Sequence, residues 1–278
     1  MLEMITNSLL FKPPERKPLT MFRKDSKNIL CTTINGNHIH CHLACPWDQE
    51  TSIVDYTGTP NLLLFFHGNS EDVASGTSYC QWLADNTRSN VLSCDYPGYG
   101  FSSGEATESG MNSAAFAALD IATNKLGHKL HEIIVIGKSI GSTPAIHIAS
   151  HNICAALGGL VLIAPVASGV RCFSLSVKIP KMILAEMDSW VLPNITHIRD
   201  VACPVQFIHG LHDDVVPCSN SHMLISAMPF PPLTDPVWLD AGHNDIESRH
   251  KLLFLNTLKD FIEVCSQRAL CRCAYDTN

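Results

Sequence analysis

Charge is scarce in this sequence. Asp, Glu, Lys and Arg make up 16% of its 278 residues, well under the ~25% typical of soluble domains. With hydrophobic residues at 46%, such a chain can bury a large core and is not disordered throughout. It also lacks a basic excess. The 19 Lys and Arg stand against 26 Asp and Glu, a formal charge of −7, which argues against a nucleic-acid binder. Residues 1–30 run against this trend, with six basic side chains against three acidic ones. That start suits an anionic membrane surface.

A signal-peptide pattern is missing from the opening MLEMITNSLLFKPPERK. The twelve cysteines therefore read as reduced thiols of a cytoplasmic protein rather than a disulfide framework. The Asn194-Ile195-Thr196 sequon would matter only in a secreted chain. The longest uncharged run, from Ser139 to Val170, is broken by Gly158, Gly159 and Pro165, so it reads as helix, strand and loop rather than a membrane span. No internal repeat or low-complexity block interrupts the chain.

What is present is an alternation of short β-rich runs and helical patterns, the mark of a mostly parallel sheet wrapped on both faces by helices. Cys31 to Ile34 and His38 to His42 flank Asn35-Gly36-Asn37 and predict an antiparallel hairpin at the start. Buried strands are expected at Leu62–Phe66, Val91–Cys94, Ile133–Ile136, Leu160–Ile163, Val205–Ile208 and Val237–Leu239. Helices are expected near Tyr79–Asn86, Ser113–Lys125, Ser142–Ser150 and Ser219–Met228. A last one from about His250 to Cys265 should bury Leu252, Leu255, Leu258, Phe261 and Ile262. The reading gives an N-terminal basic, amphipathic segment (1–29), one domain (30–265) and a Cys-containing tail (266–278). A small insertion lies between Val166 and Arg199.

The strand Ile133–Ile136 runs into Gly137-Lys138-Ser139-Ile140-Gly141 and then a helix. This is G-x-S-x-G in its strand–turn–helix context, where a strained turn projects a serine hydroxyl and the helix start favours an oxyanion. The rival reading, a phosphate-binding loop ending in Gly-Lys-Ser, needs glycine at position 132, where Glu132 stands. No nucleotide site is expected. A nucleophilic serine needs a base and an orienting acid. Asp213 follows the strand Val205–Ile208 and His243 follows Val237–Leu239, at the strand ends where open α/β sheets collect their sites. Asp214 is a rival for the acid. The oxyanion donors are expected to be the backbone amides of Ile140 and, after Leu62–Phe66, of Asn69. This chemistry needs no metal or organic cofactor.

Other features take quieter readings. His38, His40 and His42 share one strand face; a solvent-facing strand is favoured there over a zinc site. Asp95 to Gly100 (DYPGYG) reads as a structural loop. Within the insertion, Phe173, Leu175, Val177, Ile179, Met182, Ile183, Leu184 and Trp190 read as core or as the lining of an acyl groove. Leu2, Ile5 and Leu9 fall on one helical face, and Cys265, Cys271 and Cys273 lie beside Arg268 and Arg272, a neighbourhood suited to S-acylation.

Together FFHGNSED, SCDYPGYGFSSGEATE, IIVIGKSIGSTPAIHIAS, LIAPVASGVR, PVQFIHGLHDDVVP and DAGHNDIE resemble the α/β-hydrolase superfamily, and within it the α/β-hydrolase-domain-containing seventeen subfamily. The resemblance extends over roughly Leu9 to Val264, including LLFKPPE and GNHIHC. It implies an α/β-hydrolase fold and a membrane-associated serine hydrolase that removes palmitoyl groups from protein cysteines. The family's nucleophile, acid and base fall on Ser139, Asp213 and His243. Lys138 stands where the family usually has Gln, and the family's N-terminal cysteine cluster has no counterpart before Cys31. The expected substrate is an S-acylated protein, met at the cytoplasmic face of a membrane by peripheral contact. A carboxylesterase or lipid acyl hydrolase, a serine peptidase, and a catalytically silent binding protein of the same fold are the alternatives.

Overall fold

A computed structural model describes residues 7, 10–16, 27–33, 35–47, 61–173 and 186–275. The amphipathic start at Leu2, Ile5 and Leu9, and residues 174–185 of the insertion, including Leu175 to Leu184, lie outside these residues. The chain divides into two compact units, Met1–Val135 and Ile136–Asn278.

In the first unit the strands β1 (Lys27–Thr32), β2 (His38–Ala44), β3 (Leu62–Phe66) and β4 (Asn90–Cys94) lie in the order β1-β2-β4-β3. β1 pairs antiparallel with β2, Thr32 opposite His38, and β2 pairs antiparallel with β4, Cys41 opposite Cys94. β3 runs parallel to β4. The expected hairpin is present. Its loop closes through Thr33, whose amide donates to the Asn37 carbonyl at 2.9 Å, and Gly36 takes the left-handed φ of +79° that the turn requires.

Every residue of β3 and β4 is buried. Helix α1 (Val73–Thr87) buries Val73, Cys80, Leu83 and Ala84. It begins six residues earlier than Tyr79. The Asp72 carboxylate accepts from the Ser75 amide at 2.7 Å, and the Ser75 hydroxyl returns a contact to the Asp72 amide, a capping box that starts the helix despite Gly76. Helix α2 (Glu108–Asp120) is capped by Thr107 and runs on into a π-helical turn, Ile121–Lys125.

The solvent-facing reading of the His38/His40/His42 face is overturned. His38 is exposed, but His40 and His42 are buried, because β2 lies between β1 and β4 and polar side chains, the exposed Asn28 and the buried Asp95, meet the rings. The Asn28 amide oxygen accepts from His40 Nε2 at 3.2 Å and from His42 Nδ1 at 3.3 Å, and His40 Nδ1 lies 3.1 Å from the buried Asp95 carboxylate. No group of three or more metal-ligating side chains able to hold an ion occurs among the described residues.

The second unit, which takes in the end of β5 (Ile133–Lys138), orders its strands β5-β6-β7-β8, with β6 at Gly159–Ile163, β7 at Val205–Gly210 and β8 at Val237–Leu239. β6, β7 and β8 are parallel, Leu160 opposite Val205 and Ile208 opposite Val237. Helices α3 (Ser142–Ala149), α4 (Gly169–Phe173), α5 (Asn194–His197), α6 (Ser219–Ala227), α7 (Ile246–Arg249) and α8 (Lys251–Tyr275) complete it. α8 continues ten residues beyond Cys265. It buries Phe254, Leu255, Leu258, Phe261, Ile262 and Cys265, a stripe at helical spacing, each large side chain contributing on the order of 1.5–3 kcal/mol. Leu252, expected on that stripe, is 76% exposed in the first turn, and Phe254 takes its place. Gly159 admits the helix: a β-carbon there would stand 2.7 Å from Cys265 Sγ and 2.9 Å from the Phe261 ring. Cys265 is therefore packed away from solvent and drops out of the S-acylation neighbourhood. The side chains of Cys271 and Cys273 lie outside the description. No described helix is long and apolar enough to cross a membrane.

Burial lowers the His42 pKa to about 4, helped by the neighbouring His40. The unfolded chain then binds a proton near pH 6.5 that the folded chain refuses until about pH 4. Stability rises with pH across that window and is lost on acidification, by on the order of 3 kcal/mol for this one group. Urea midpoints should fall between about pH 6.5 and about pH 4 in the wild type and fall less steeply in His42→Gln. Parallel slopes would remove His42 from the acid response.

Candidate active site

The residue after β5 has an unusual backbone, as do Ala164 and Leu192 in the same unit. Ser139 has φ +54°, a left-handed conformation that costs a non-glycine residue roughly 1–3 kcal/mol and concentrates at functional sites. Two features hold it. A β-carbon on Gly137 would stand 2.6 Å from the Gly141 carbonyl oxygen and 2.7 Å from Ser142 Cα, so only glycine lets the strand fold back so closely on α3. The buried Ser142 hydroxyl donates to the Ser139 carbonyl at 2.6 Å and accepts from the Val166 amide at 3.1 Å, tying the turn to the end of β6. Asn194, buried in α5, donates to Thr143 Oγ1 and to the Val166 carbonyl, so the side chain of the sequon serves the interior.

Asp213 and His243 reach Ser139 because β7 and β8 are adjacent and parallel. The chain beyond them stays paired: the Leu211 amide donates to the Leu239 carbonyl at 2.8 Å and the His212 amide to the Ala241 carbonyl at 2.9 Å. Gly210 permits this approach, since a β-carbon there would meet the Ala241 and Gly242 carbonyl oxygens at 2.5 Å.

The three side chains come together. His243 Nδ1 donates to Asp213 Oδ2 at 2.6 Å, which leaves Nε2 to accept from the Ser139 hydroxyl at 3.0 Å. All three residues are buried. Asp214 is exposed. What distinguishes its neighbour is the turn that follows: the Val215 and Val216 amides both point at Asp213 Oδ1, at 3.0 and 2.7 Å.

A further histidine went unassigned in the sequence. His209, fully buried at the end of β7, lies with Nε2 2.8 Å from the Val216 carbonyl and 3.2 Å from Asp213 Oδ2, while its Nδ1 meets the Ser221 hydroxyl at 2.7 Å. Nε2 therefore carries the proton and Nδ1 accepts from Ser221. Burial by itself would raise the Asp213 pKa. The hydrogen bonds from His209 and His243, the charge His243 takes when protonated and the Val216 amide outweigh it and hold the carboxyl well below the usual carboxylate range. The spacing His209-Gly210-x-x-Asp213 was legible, but in a chain of fourteen histidines it carried no weight. Ser221 left no signal at all.

Lys138, the departure from the family pattern, has a partner of opposite charge. Its ammonium lies 3.5 Å from Glu247 of α7, joining the residue before Ser139 to the helix that follows His243.

Of the two amides expected at an oxyanion, that of Ile140 follows Ser139 in the 3₁₀ turn Ser139–Gly141. Asn69 sits in the first unit on the loop after β3. Tyr96 braces that loop by donating to the His67 carbonyl at 2.8 Å. The Asn69 side chain is already engaged: Oδ1 accepts from the Lys12 amide and the Tyr99 hydroxyl, and Nδ2 donates to the Leu10 carbonyl. Its backbone amide is the group expected to donate to the oxyanion.

Comparison with known proteins adds a second line of argument. Human alpha/beta hydrolase domain-containing protein 17B is 32% identical over 231 residues, 83% of this chain and 73% of that protein. Mouse protein 17C is 35% identical over 201 residues, 72% and 59%. The Caenorhabditis elegans alpha/beta hydrolase domain-containing protein aho-3 is 34% identical over 206 residues, 73% of this chain but 57% of its own length. The chain thus spans little more than half of the worm protein. Among solved structures, an esterase from Pyrococcus furiosus matches with a TM-score of 0.68 at 17% identity, covering 91% of this chain and 98% of its own. An α/β hydrolase from Vibrio vulnificus matches with 0.68 at 16%, covering 92% and 93%. At such identities the likeness is one of fold. No protein-family model matches the chain.

The Gly210 contact generates a prediction. In Gly210→Ala the new methyl meets two backbone carbonyls that cannot rotate away. Unfolding in urea should show a loss of about 1–3 kcal/mol, the usual range for overpacking. An unchanged midpoint would mean that the Asp213 and His243 loops are not held at contact distance.

Proposed function

Because the chain belongs to the alpha/beta hydrolase domain-containing 17 family, we propose that it is a serine hydrolase that cleaves long-chain acyl thioesters from protein cysteines. The observation that carries the reading is the continuous chain Ser139 Oγ–His243 Nε2 at 3.0 Å and His243 Nδ1–Asp213 Oδ2 at 2.6 Å, built on a serine in a left-handed backbone.

In this reading Ser139 attacks the thioester carbonyl while His243 Nε2 takes its proton. Asp213 fixes the ring with Nδ1 protonated and stabilises the imidazolium that forms. Ionised throughout the working pH range, Asp213 needs no proton of its own for this task. The amide of Ile140 holds the negative oxygen of the tetrahedral intermediate, with Asn69 the second donor expected from the sequence. The intermediate collapses, the cysteine leaves as a thiol with the proton from His243, and the acyl group stays on Ser139. Water, deprotonated by His243, then releases the fatty acid and restores the serine. A palmitoylated substrate keeps its chain in a bilayer, so the reaction belongs at the cytoplasmic surface of a membrane.

Ester, thioester and amide cleavage pass through the same kind of intermediate, so substrate preference is what the experiment must read. An S-palmitoylated peptide carried on phospholipid vesicles should be hydrolysed by the wild type faster than the O-palmitoyl serine analogue. Asp213→Asn should lose about 10⁴-fold in kcat, the loss expected when the histidine's tautomer is wrong, with Asp214→Asn near wild type. Turnover confined to short O-esters would make the protein a carboxylesterase, and turnover confined to amides a peptidase. Equal activity in the two Asn variants would remove Asp213 from its role.

A further inference from the structure

A concavity lies in the same unit as Ser139, at the end of β7 away from Asp213. Val205, the first residue of that strand, lines it, whereas Asp213 comes just after the last, Gly210. Five residue steps of about 3.3 Å separate the strand ends by about 17 Å. The groove holds about 490 Å³, within the range of small-molecule sites, and contains none of Ser139, Asp213 and His243.

Its lining has an unusual combination of properties. Two arginines, Arg199 and Arg268, contribute to the wall; both are exposed and neither makes an ion pair with a carboxylate among the described residues. Asp200 lies there too, which leaves one net positive charge. The remaining surface is apolar, and its edge carries Phe230 and Leu233, respectively 77% and 52% exposed. Apolar side chains left this open beside unpaired cations suit a molecule with an anionic head and a greasy body.

The wall also discriminates between kinds of occupant. Pro204, Pro229, Pro231 and Pro232 supply four of its residues, and proline has no backbone N–H. An extended peptide, which gains affinity by main-chain hydrogen bonds, would find few donors here. An alkyl chain needs none. A polyanionic headgroup would be repelled by Asp200, whereas a single carboxylate matches the net charge.

We propose that this groove binds a free long-chain fatty acid, its carboxylate between Arg199 and Arg268 and its chain along Met228, Phe230 and Leu233. The inference does not depend on the hydrolase reading, although a fatty acid is what that reaction would release. A fatty-acid site away from Ser139 would let the acyl product remain on the protein without occupying the catalytic serine.

The test is displacement of fluorescent dansylundecanoic acid from the full chain by palmitate and, separately, by hexadecanol, before and after reaction with a long-chain fluorophosphonate. Palmitate should displace the probe in both preparations, and hexadecanol only weakly. The double variant Arg199→Gln/Arg268→Gln should bind palmitate tenfold to about a hundredfold more weakly, the usual worth of charge-assisted hydrogen bonds. Arg199→Lys/Arg268→Lys, which keeps the charge, should retain most of the affinity; both pairs of substitutions are at exposed positions and should leave thermal unfolding unchanged. Palmitate affinity equal in the wild type and the Gln variant overturns the proposal. So does displacement by hexadecanol as strong as by palmitate, or equal loss in the Lys and Gln variants. Binding that disappears once the fluorophosphonate has reacted assigns the fatty acid to the catalytic pocket instead. A protein that fails to react with the fluorophosphonate counts against the hydrolase reading and leaves the arginine comparison to decide the groove.

Discussion

The left-handed backbone at Ser139 is the constraint around which the second unit is arranged. A side chain does not enter that region of φ without cost, and here the strain is held by groups that have no slack: Gly137 beside the Gly141 carbonyl, and the Ser142 hydroxyl shared between the Ser139 carbonyl and the Val166 amide. Because Ser142 reaches the end of β6, the turn is referenced to the sheet rather than to its own loop. Asn194 adds a second tie through the Val166 carbonyl. The serine hydroxyl is thus placed by the fold before any substrate arrives, which is what electrostatic and orientational catalysis both require.

The partners of the serine are placed by a different device. Two parallel neighbours, β7 and β8, end side by side, and Gly210 lets the loops beyond them remain in contact. Asp213 is then held at both oxygens: His243 and His209 meet Oδ2, and the Val215 and Val216 amides donate to Oδ1. A buried carboxylate with so many donors stays ionised, and an ionised Asp213 fixes which nitrogen of His243 holds the proton. In the proposed mechanism His209 and Ser221 act through Asp213. They are positioning residues that touch no substrate in the proposed mechanism.

Much of this was legible in the residues. Short apolar runs bounded by glycine and polar turns located the strands, although Val237 and Trp238 of β8 are only half-buried, and G-x-S-x-G in strand–turn–helix context located the serine. The choice between Asp213 and Asp214 was not legible, because it depends on which carboxylate the following turn closes upon, a matter of backbone direction. The burial of His40 and His42 was hidden for a related reason. Alternation along β2 suggested an open face, but a polar side chain can be buried wherever a distant partner satisfies it, and Asn28 and Asp95 are set by strand pairing and loop closure. Helix α1 begins before the expected Tyr79 because the Asp72 capping box starts it at Val73 despite Gly76. Leu252 was placed on the wrong face by extending the α8 stripe one turn past its end. Local chemistry announced the elements; pairing across the sheet decided which polar groups went inside.

The central claim is that one serine, activated by its fixed geometry, is the nucleophile. It is tested most directly by treating the full chain with a fluorophosphonate and mapping the adduct by peptide mass spectrometry. The account predicts a single phosphonyl group, on Ser139, whose formation slows by orders of magnitude when His243 is replaced by Ala. An adduct on Ser142 or another hydroxyl, or none on a folded protein, would contradict it.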